Sequence, residues 1–549
     1  MASVKFNKNI FEKEIGKLDD AMQNKVAMFG TTVESLTSDE LEIDVSPNRP
    51  DLLSYQGFKR SFLAFLGKSV GLKEYKLNPP EKDYRVIIDS SVSGVRPYTA
   101  CAIVKNVKFS DDKIKEIVDI QEKLHFTVGR KIKKLAIGIY PMEKIKLPIT
   151  FKALEPDKIK FKPLESPREM TGIEILSRHP TGRDYAHLLA GKSKFPIFVD
   201  AVGEILSMPP IINSELTGRV TEDTNEVFIE CSGYDFEILN KCLNILVTAL
   251  ADMGGDIYQM NVEYSNKKVT PDLDSERVKL SVENVNKVIG LDLSEKELKV
   301  FIERMGHNYN DGFVDVPAWR TDVLHEVDLI EDVAIAYGYE NIKPEIPEIS
   351  TTGQEDRKET IKRKLSDILS GLNMLEVSNY HLTTSNEQFS KMGIPDKQQK
   401  GKIEIVDSKT EYNFLRNNLS HYLMKVFSEN VDSEYPQRIY EVGRIFNLNK
   451  DDSIVEFESL AISLAPSNFT ELKQVLEYLG RMIDVKFEIK EASEVLGHFV
   501  DGRCADILLE GKTIGQFGEI HPKILKNFKI KMPVALLEIN FEDIFERLK

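Results

Sequence analysis

Hydrophobic positions change their period along the chain, and the changes mark out four segments. From Ile10 to Phe29 they recur with helical spacing. LEIDV at 41–45 reads as a strand, the turn SPNRPDL follows, and a helix from about Ser54 to Leu66 ends at Gly67. Residues 1–80 are therefore expected to form a small α/β unit. The polar stretch YKLNPPEKDYR at 75–85, with two prolines, reads as a linker. Over 86–265 strand-like and helical patterns alternate. VIIDSSV, TACAIVKNVKF, KKLAIGIY and EVFIECSG are apolar or β-branched runs bounded by turns. DDKIKEIVDIQEKLHFTVG reads as a helix ending at Gly129, and DFEILNKCLNILVTALADMGG as one ending at Gly254 and Gly255. This segment is expected to be a mixed α/β domain.

Residues 266–345 read as a compact helical module. Ser281 precedes a short helix stopped by Gly290, and Ser294 with Glu297 forms a capping box before KELKVFIERMG. The tight turn between these helices suits a helix-turn-helix arrangement. A strand, GFVDVPA, leads to a third helix from about Leu324 to Tyr337, and Pro344 and Pro347 mark a boundary. Residues 355–549 open with a charged helix, RKETIKRKLSDILSGL. Strands are expected at EVSNYHL, KIEIV, RIYEVGRIF, SLAISLA, CADILLE, TIGQFGEI and VALLEIN, with helices at about 416–430 and 469–483. Many strands in hairpin order suit an antiparallel sheet. The fold class is multidomain α+β.

Length and composition agree. At about 150 residues per domain, 549 residues allow three to four domains, and 41% hydrophobic with 29% charged residues is ordinary globular composition. The four cysteines, at 101, 231, 242 and 504, lack zinc spacing, and scattered thiols suit a reducing compartment. No apolar run approaches a membrane span. The opening MASVKFNKNIFEKEIGKL reads as neither a secretory signal nor a transit peptide, so the cytoplasm is the expected location. Seventy-three basic against 88 acidic residues give −15, which argues against coating nucleic acid through bulk charge. One local cluster stands out: Arg130, Lys131, Lys133 and Lys134 in GRKIKKL, either a solvated face or a basic stripe.

Three constellations could carry chemistry. In TDVLHEVDLIEDVAIAYGY, Asp328, Glu331 and Asp332 fall on one helical face, with Asp322 just before the helix. Crowded carboxylates suit a hard cation such as Mg²⁺, and equally an acidic solvated face. In the middle segment, Glu230 and Ser232 lie two apart on one strand face, while Ser207 and Asn213 flank the Met-Pro-Pro turn of SMPPIIN. Together they would make a small polar pocket or an ordinary strand edge. No Ser-His-Asp order is visible, so hydrolysis there would rest on a positioned water. In the last segment, Arg438 and Glu441 lie on opposite faces of a strand, and GQFGE lacks the spacing of a phosphate loop. His521 before Pro522 reads as a turn residue.

Taken together, SPNRPDLLSYQGFKRSFLAFLG at 46–67, SMPPIINSE at 207–215, RTDVLHEVDLIEDVAIAYGYENI at 320–342, YEVGRIF at 440–446 and FGEIHPKIL at 517–525 resemble the phenylalanine–tRNA ligase beta subunit family, of the archaeal and eukaryotic type. The resemblance covers nearly the whole chain. It implies an α₂β₂ heterotetramer in which the α subunit uses ATP to activate phenylalanine and charges tRNA(Phe). It implies that 355–549 is an inactive class II synthetase-like domain serving assembly with α, with YEVGRIF similar to a motif 2 strand. It implies that 266–345 is the family's Mg²⁺ module, with Asp322, Asp328, Glu331 and Asp332 at the ligand positions. It implies that 86–265 is an editing domain that hydrolyses tyrosyl-tRNA(Phe).

Such a second site is needed because an apolar pocket excludes an added hydroxyl only modestly. Glu230 is the candidate acceptor for the phenol, with Ser207, Asn213 and Ser232 placing the ester or the water. The chain departs from the family pattern in two places. Glu230 to Asp235 reads Glu-Cys-Ser-Gly-Tyr-Asp in place of Asp-x-Thr-Gly-Thr-Asp, and GIYPMEKI lacks a His-Asp after Gly-Ile. Two other readings compete: a tRNA-binding or regulatory paralogue with no α partner, and a free-standing deacylase, which would have no need of residues 355–549.

Overall fold

The computed structural model describes residues 2–395, 399 and 401–548. It divides into two compact units, 1–346 and 347–549.

The first unit opens with a three-stranded antiparallel sheet of Ala2–Asn7, Glu40–Val45 and Thr32–Leu36, with Glu40–Val45 in the middle. Leu41, Ile43 and Val45 alternate inward onto a core of rings that includes Phe6, Phe11, Phe29, Phe58, Phe62 and Phe65. The helical periodicity between Ile10 and Phe29 belongs to two helices, Lys8–Glu14 and Asp20–Met28. They part at Gly16, whose φ of +145° a side chain would oppose, and the second starts at the Asp19 cap. Tyr55–Phe65 begins at Ser54, whose hydroxyl accepts from the Gly57 N–H, and Gly67 beyond its end has φ +73°.

Residues 75–85 are not a free linker. Leu77–Asn78 adds a parallel strand beside Ile257–Tyr258, and Tyr75 packs edge-on to Trp319 and donates to Asp252 at 2.8 Å. The large sheet has eleven strands. Its main path runs Ile212–Asn213, Ile205–Met208, Phe195–Val199, Ile149–Leu154, Arg85–Ile88, Asp256–Glu263, Tyr98–Lys105, Val227–Gly233 and Leu135–Pro141. Lys267–Thr270 also pairs with Asp256–Glu263, so the chain leaves this sheet after 270, not at 265 as expected. Val227–Gly233 and Leu135–Pro141 are buried along their whole length, as continuous apolar runs covered on both faces should be. One face packs under Asp111–Phe126 and Phe236–Asp252. The other packs within a second core containing Tyr140, Phe198, Met208 and Phe228.

The following module is not all helical. A small sheet of Glu276–Lys279, Phe313–Val316 and Asn308–Asn310 accompanies helices Val282–Ile289, Glu295–Arg304 and Glu326–Tyr337. Ser281 caps the first helix and Gly290 ends it at φ +75°. The Ser294–Glu297 capping box forms in full.

In the second unit a seven-stranded sheet runs Leu375–Glu376, Gln437–Leu448, Ile454–Ala465, Ala535–Asn540, Lys512–Ile520, Phe499–Leu509 and Glu488–Glu491. Its pairs are antiparallel except the first. EVSNYHL is not one strand; its first residue falls in Leu375–Glu376 of this sheet and its last in Leu382–Thr383 of a separate three-stranded sheet. Helices Arg357–Gly371, Ser420–Glu429 and Phe469–Met482 accompany the sheets. His521 caps Pro522–Asn527, its Nδ1 accepting from the Lys523 N–H at 3.0 Å. Among the described residues no helix is long and apolar enough to cross a membrane.

Two histidines of this unit give it a pH dependence. Burial pushes the His498 imidazole down to about 4 and that of His421 to about 3. His421 Nδ1 lies 2.9 Å from Asn418 Oδ1 and Nε2 3.1 Å from Thr383 Oγ1, so the neutral ring is fully used. The unfolded chain takes up these protons near pH 6.5 and the folded chain does not. Their contribution to stability is therefore complete above about pH 6.5 and is lost as pH falls toward 4 and 3. Hydrogen exchange of the Ser420–Glu429 amides, corrected for intrinsic rates, is expected to quicken between pH 6.5 and 4. The pH step should shrink in His421→Asn.

Candidate functional site

The polar pocket is built on the strand Val227–Gly233. Alternation sends Val227, Ile229 and Cys231 into the helix-covered core, and Phe228, Glu230 and Ser232 to the opposite face. Glu230 stands between Gly138 on one neighbouring strand and Cys101 on the other. With no side chain at 138, the Tyr140 ring lies back over that position. A Cβ added to Gly138 would meet Tyr140 Oη at 2.1 Å and Glu230 Oε1 at 2.7 Å. Tyr140 stacks on Phe228 at 5.8 Å and is fully buried.

The hairpin SMPPIIN supplies the other wall. Ser207 and Asn213 are cross-strand partners in it. The Tyr140 hydroxyl sits 2.8 Å from Ser207 Oγ, 3.3 Å from Glu230 Oε1 and 3.4 Å from Asn213 Oδ1. Three of the four sequence candidates therefore converge. They line a cleft of about 390 Å³ together with His125, Ile132, Thr181 and Tyr185. Ser232 does not line it. Arg96 claims Ser232 instead, with Nε donating to its hydroxyl at 3.2 Å and Nη2 to its carbonyl at 2.6 Å. The cause is that a strand face fixes direction and not depth; Ser232 lies one pair further along, against buried Arg96.

Burial pushes the Glu230 carboxyl up to about 8, against the opposing pull of Arg96, so it is largely protonated at neutral pH. Its Oε2 is buried and has no hydrogen-bond partner. Burial likewise lowers the His125 imidazole to about 4. His125 Nε2 accepts from the Ile137 N–H at 2.7 Å, which leaves the ring proton on Nδ1. A neutral acid and a neutral imidazole facing one cleft suit an uncharged ligand or an ester. Tyr140 and His125 were not singled out by spacing. The available signals were a glycine two residues before an aromatic on a buried strand, and a histidine in the last turn of a helix leading into the basic cluster. In that cluster Arg130, Lys131, Lys133 and Lys134 are exposed, while Ile132 turns into the cleft. Arg130, Lys131 and Ile132 all have left-handed φ, at 46°, 54° and 65°.

The four carboxylates of the acidic helix do not converge. Asp328 Oδ2 accepts from the Leu324 and His325 N–H groups, both at 2.8 Å, as half of a capping box with His325. Glu331 is exposed. Asp322 and Asp332 are held by Arg320: its fork meets both Asp322 oxygens at 2.8 Å, and Nη2 reaches Asp332 Oδ2 at 2.9 Å. His307 Nε2 lies 2.8 Å from the same Asp332 oxygen. The Arg320 guanidinium, opposing the cost of burial, keeps the Asp332 carboxyl far below the usual range. A resident cation already balances this cluster, so the residues do not fit a Mg²⁺ ion. Among the described residues no group of three or more His, Cys, Asp or Glu could hold a metal.

Comparison with known proteins places this architecture. The model of the phenylalanyl tRNA synthetase beta chain CLM domain matches residues 342–541, and that of the tRNA synthetase B5 domain matches 278–339. The phenylalanine–tRNA ligase beta subunit of Thermococcus sibiricus is 38% identical over 504 residues, 90% of this chain and 88% of that one. That of Pyrococcus furiosus is 39% identical over 509 residues, 91% and 90% of the two chains. That of Archaeoglobus fulgidus is 36% identical over 541 residues, 97% of each. A crystal structure of an N-terminal fragment of the phenylalanyl-tRNA synthetase β-subunit from Pyrococcus horikoshii is 36% identical. It superposes with a TM-score of 0.59, over 61% of this chain and 99% of the fragment. With relatives 36–39% identical over 90–97% of its length, the chain belongs to the phenylalanine–tRNA ligase beta subunit family.

Proposed function

We propose that the chain assembles with an α subunit into an α₂β₂ complex in the cytoplasm that attaches phenylalanine to tRNA(Phe). ATP and Mg²⁺ are used at an active site on α. The observation that carries this reading is the continuous relation to beta subunits along nine tenths of the chain. A beta subunit requires a partner. The second unit offers a surface for one: Tyr380, Leu382, Ile405, Val406 and Tyr412, on the segments around the three-stranded sheet, are all exposed. Clustered exposed apolar side chains of this kind mark interaction sites.

The middle cleft is proposed as the ester-hydrolysing site of the complex, with Glu230, Ser207 and Asn213 at its polar end. Water would add to the ester carbonyl, the bond to the ribose oxygen would break, and that oxygen would take the proton. Arg130, Lys131, Lys133 and Lys134 at the rim suit the phosphates of an RNA 3′ end. The test is charging of tRNA(Phe) with phenylalanine by this chain alone, by the cognate α subunit alone and by the co-purified pair. Charging by the pair only is the expected result. If no complex forms and this chain leaves charging unchanged, the paralogue reading replaces it.

A further inference from the structure

A site that selects a phenol must leave its acceptor open to the incoming hydroxyl. In this chain the acceptor is taken. Tyr140 Oη lies among the same three groups, Ser207, Glu230 and Asn213. The Tyr140 ring fills the space that Gly138 leaves free, against Phe228. The other oxygen of Glu230 is closed to solvent as well as unpartnered. A ligand phenol therefore finds Oε2 closed and Oε1 already engaged by the Tyr140 hydroxyl. Tyr140 cannot swing far where it is, because it is fully buried.

We propose that Tyr140 is a resident phenol. Its hydroxyl takes up the three polar groups at that end of the cleft and makes the cleft blind to the hydroxyl that separates tyrosine from phenylalanine. This rests on the reading of the cleft as an ester-hydrolysing site. Removing the ring should expose the latent subsite, as an apolar cavity left by a large-to-small change accepts a small aromatic. Here the bottom of the cavity carries Glu230 and Ser207, so a phenol should be preferred to a plain arene. A hydroxyl that finds a buried partner should be favoured about tenfold or more, the equivalent of about 1.4 kcal/mol.

The experiment is calorimetric titration of the full-length chain with p-cresol and with toluene. The wild type should bind p-cresol no more tightly than toluene. Tyr140→Ala should bind p-cresol at least tenfold more tightly than toluene, and Tyr140→Ala/Glu230→Ala should lose that preference. Tyr140→Leu serves if the alanine variant does not fold. A wild type that already prefers p-cresol tenfold would overturn the proposal, as would a folded Tyr140→Ala or Tyr140→Leu with no preference.

Deacylation by the complex with α separates this from the parent reading. Wild type should treat Tyr-tRNA(Phe) and Phe-tRNA(Phe) alike, and Tyr140→Ala should favour the tyrosyl ester. Wild-type hydrolysis selective for the tyrosyl ester would also sink the resident-phenol proposal. If Tyr140→Ala gains p-cresol selectivity and yet cleaves neither ester, the resident phenol stands and the ester-hydrolysis reading fails.

Discussion

Arg320→Ala is expected to destabilise the first unit by about 3–5 kcal/mol, the cost of breaking a buried ion pair from one side. The guanidinium serves two carboxylates at once, and side-chain exposures of 3% for Arg320, 9% for Asp322 and 4% for Asp332 leave little water to replace it. His307, whose own imidazole is held low by burial, is a weak substitute cation. Arg49 and Asp51, the bidentate pair of the SPNRPDL turn, lie near enough to act on the same charges. The loss should therefore spread to the start of the chain. Arg320→Lys should recover only part of it, because one ammonium cannot reproduce a planar fork across two aspartates. The measurement is urea unfolding followed by the fluorescence of Trp319, the single tryptophan and 5% exposed. EDTA should leave the wild-type midpoint where it is. A midpoint that falls with EDTA and returns with Mg²⁺ would mean that the acidic helix binds metal in spite of the Arg320 arrangement.

That network also shows why the sequence was legible in some places and not in others. Helix ends were readable wherever the deciding contact spans three or four residues. Ser54, Ser281, Gly290 and the Ser294–Glu297 box are all found in place, because a cap is settled by its own turn. The acidic helix was readable to the same depth: spacing gives a shared face for Asp328, Glu331 and Asp332. It does not reveal that Arg320 neutralises Asp332 and His307 hydrogen-bonds it, nor that Asp328 turns back to cap its own helix. The polar pocket divides along the same line. Strand alternation places Glu230 and Ser232 on one face, and the Met-Pro-Pro turn is legible, but the hairpin that sets Ser207 beside Asn213 is found only in the structure. Nothing local announces that Tyr140, from a neighbouring strand, will reach both. That contact depends on the absence of a side chain at Gly138, and a missing atom carries no signal in a periodicity. The linker expected at 75–85 fails for a related reason: prolines and charges describe its solvent side, while Tyr75 anchors it to Asp252 and Trp319.

In the second unit the corresponding experiment concerns the YEVGRIF strand. Arg416→Met is expected to cost about 3–5 kcal/mol. Arg416 and Glu441 are each 2% exposed in their side chains and meet at 2.6 Å. Arg416 Nε also donates to the Arg444 carbonyl at 2.8 Å and Nη1 to the Asn379 carbonyl at 3.1 Å, while Asn379 Nδ2 donates to Glu441 at 2.7 Å. Removing the cation strands a carboxylate that only the amide and N–H of Asn379 still serve. Arg416→Met/Glu441→Leu should regain most of the loss, because an apolar pair of similar volume carries no desolvation cost. The recovery stays incomplete, since the carbonyls of Arg444 and Asn379 are left unpaired at about 1–3 kcal/mol for a buried group. Gly443→Ala tests the same knot from the backbone. Its Cβ would lie 2.5 Å from Arg416 Nη2 and 3.1 Å from Glu441 Oε1, and a guanidinium tied at three points cannot step aside cheaply. Hydrogen exchange of Gln437–Leu448 reads all three variants. Protection should fall sharply in Arg416→Met and Gly443→Ala and return largely in the double variant. Equal loss in the single and double variants would mean that the ion pair adds nothing beyond packing. The Glu, Gly and neighbouring arginines of this strand would then have to be explained by what binds them rather than by what they hold together.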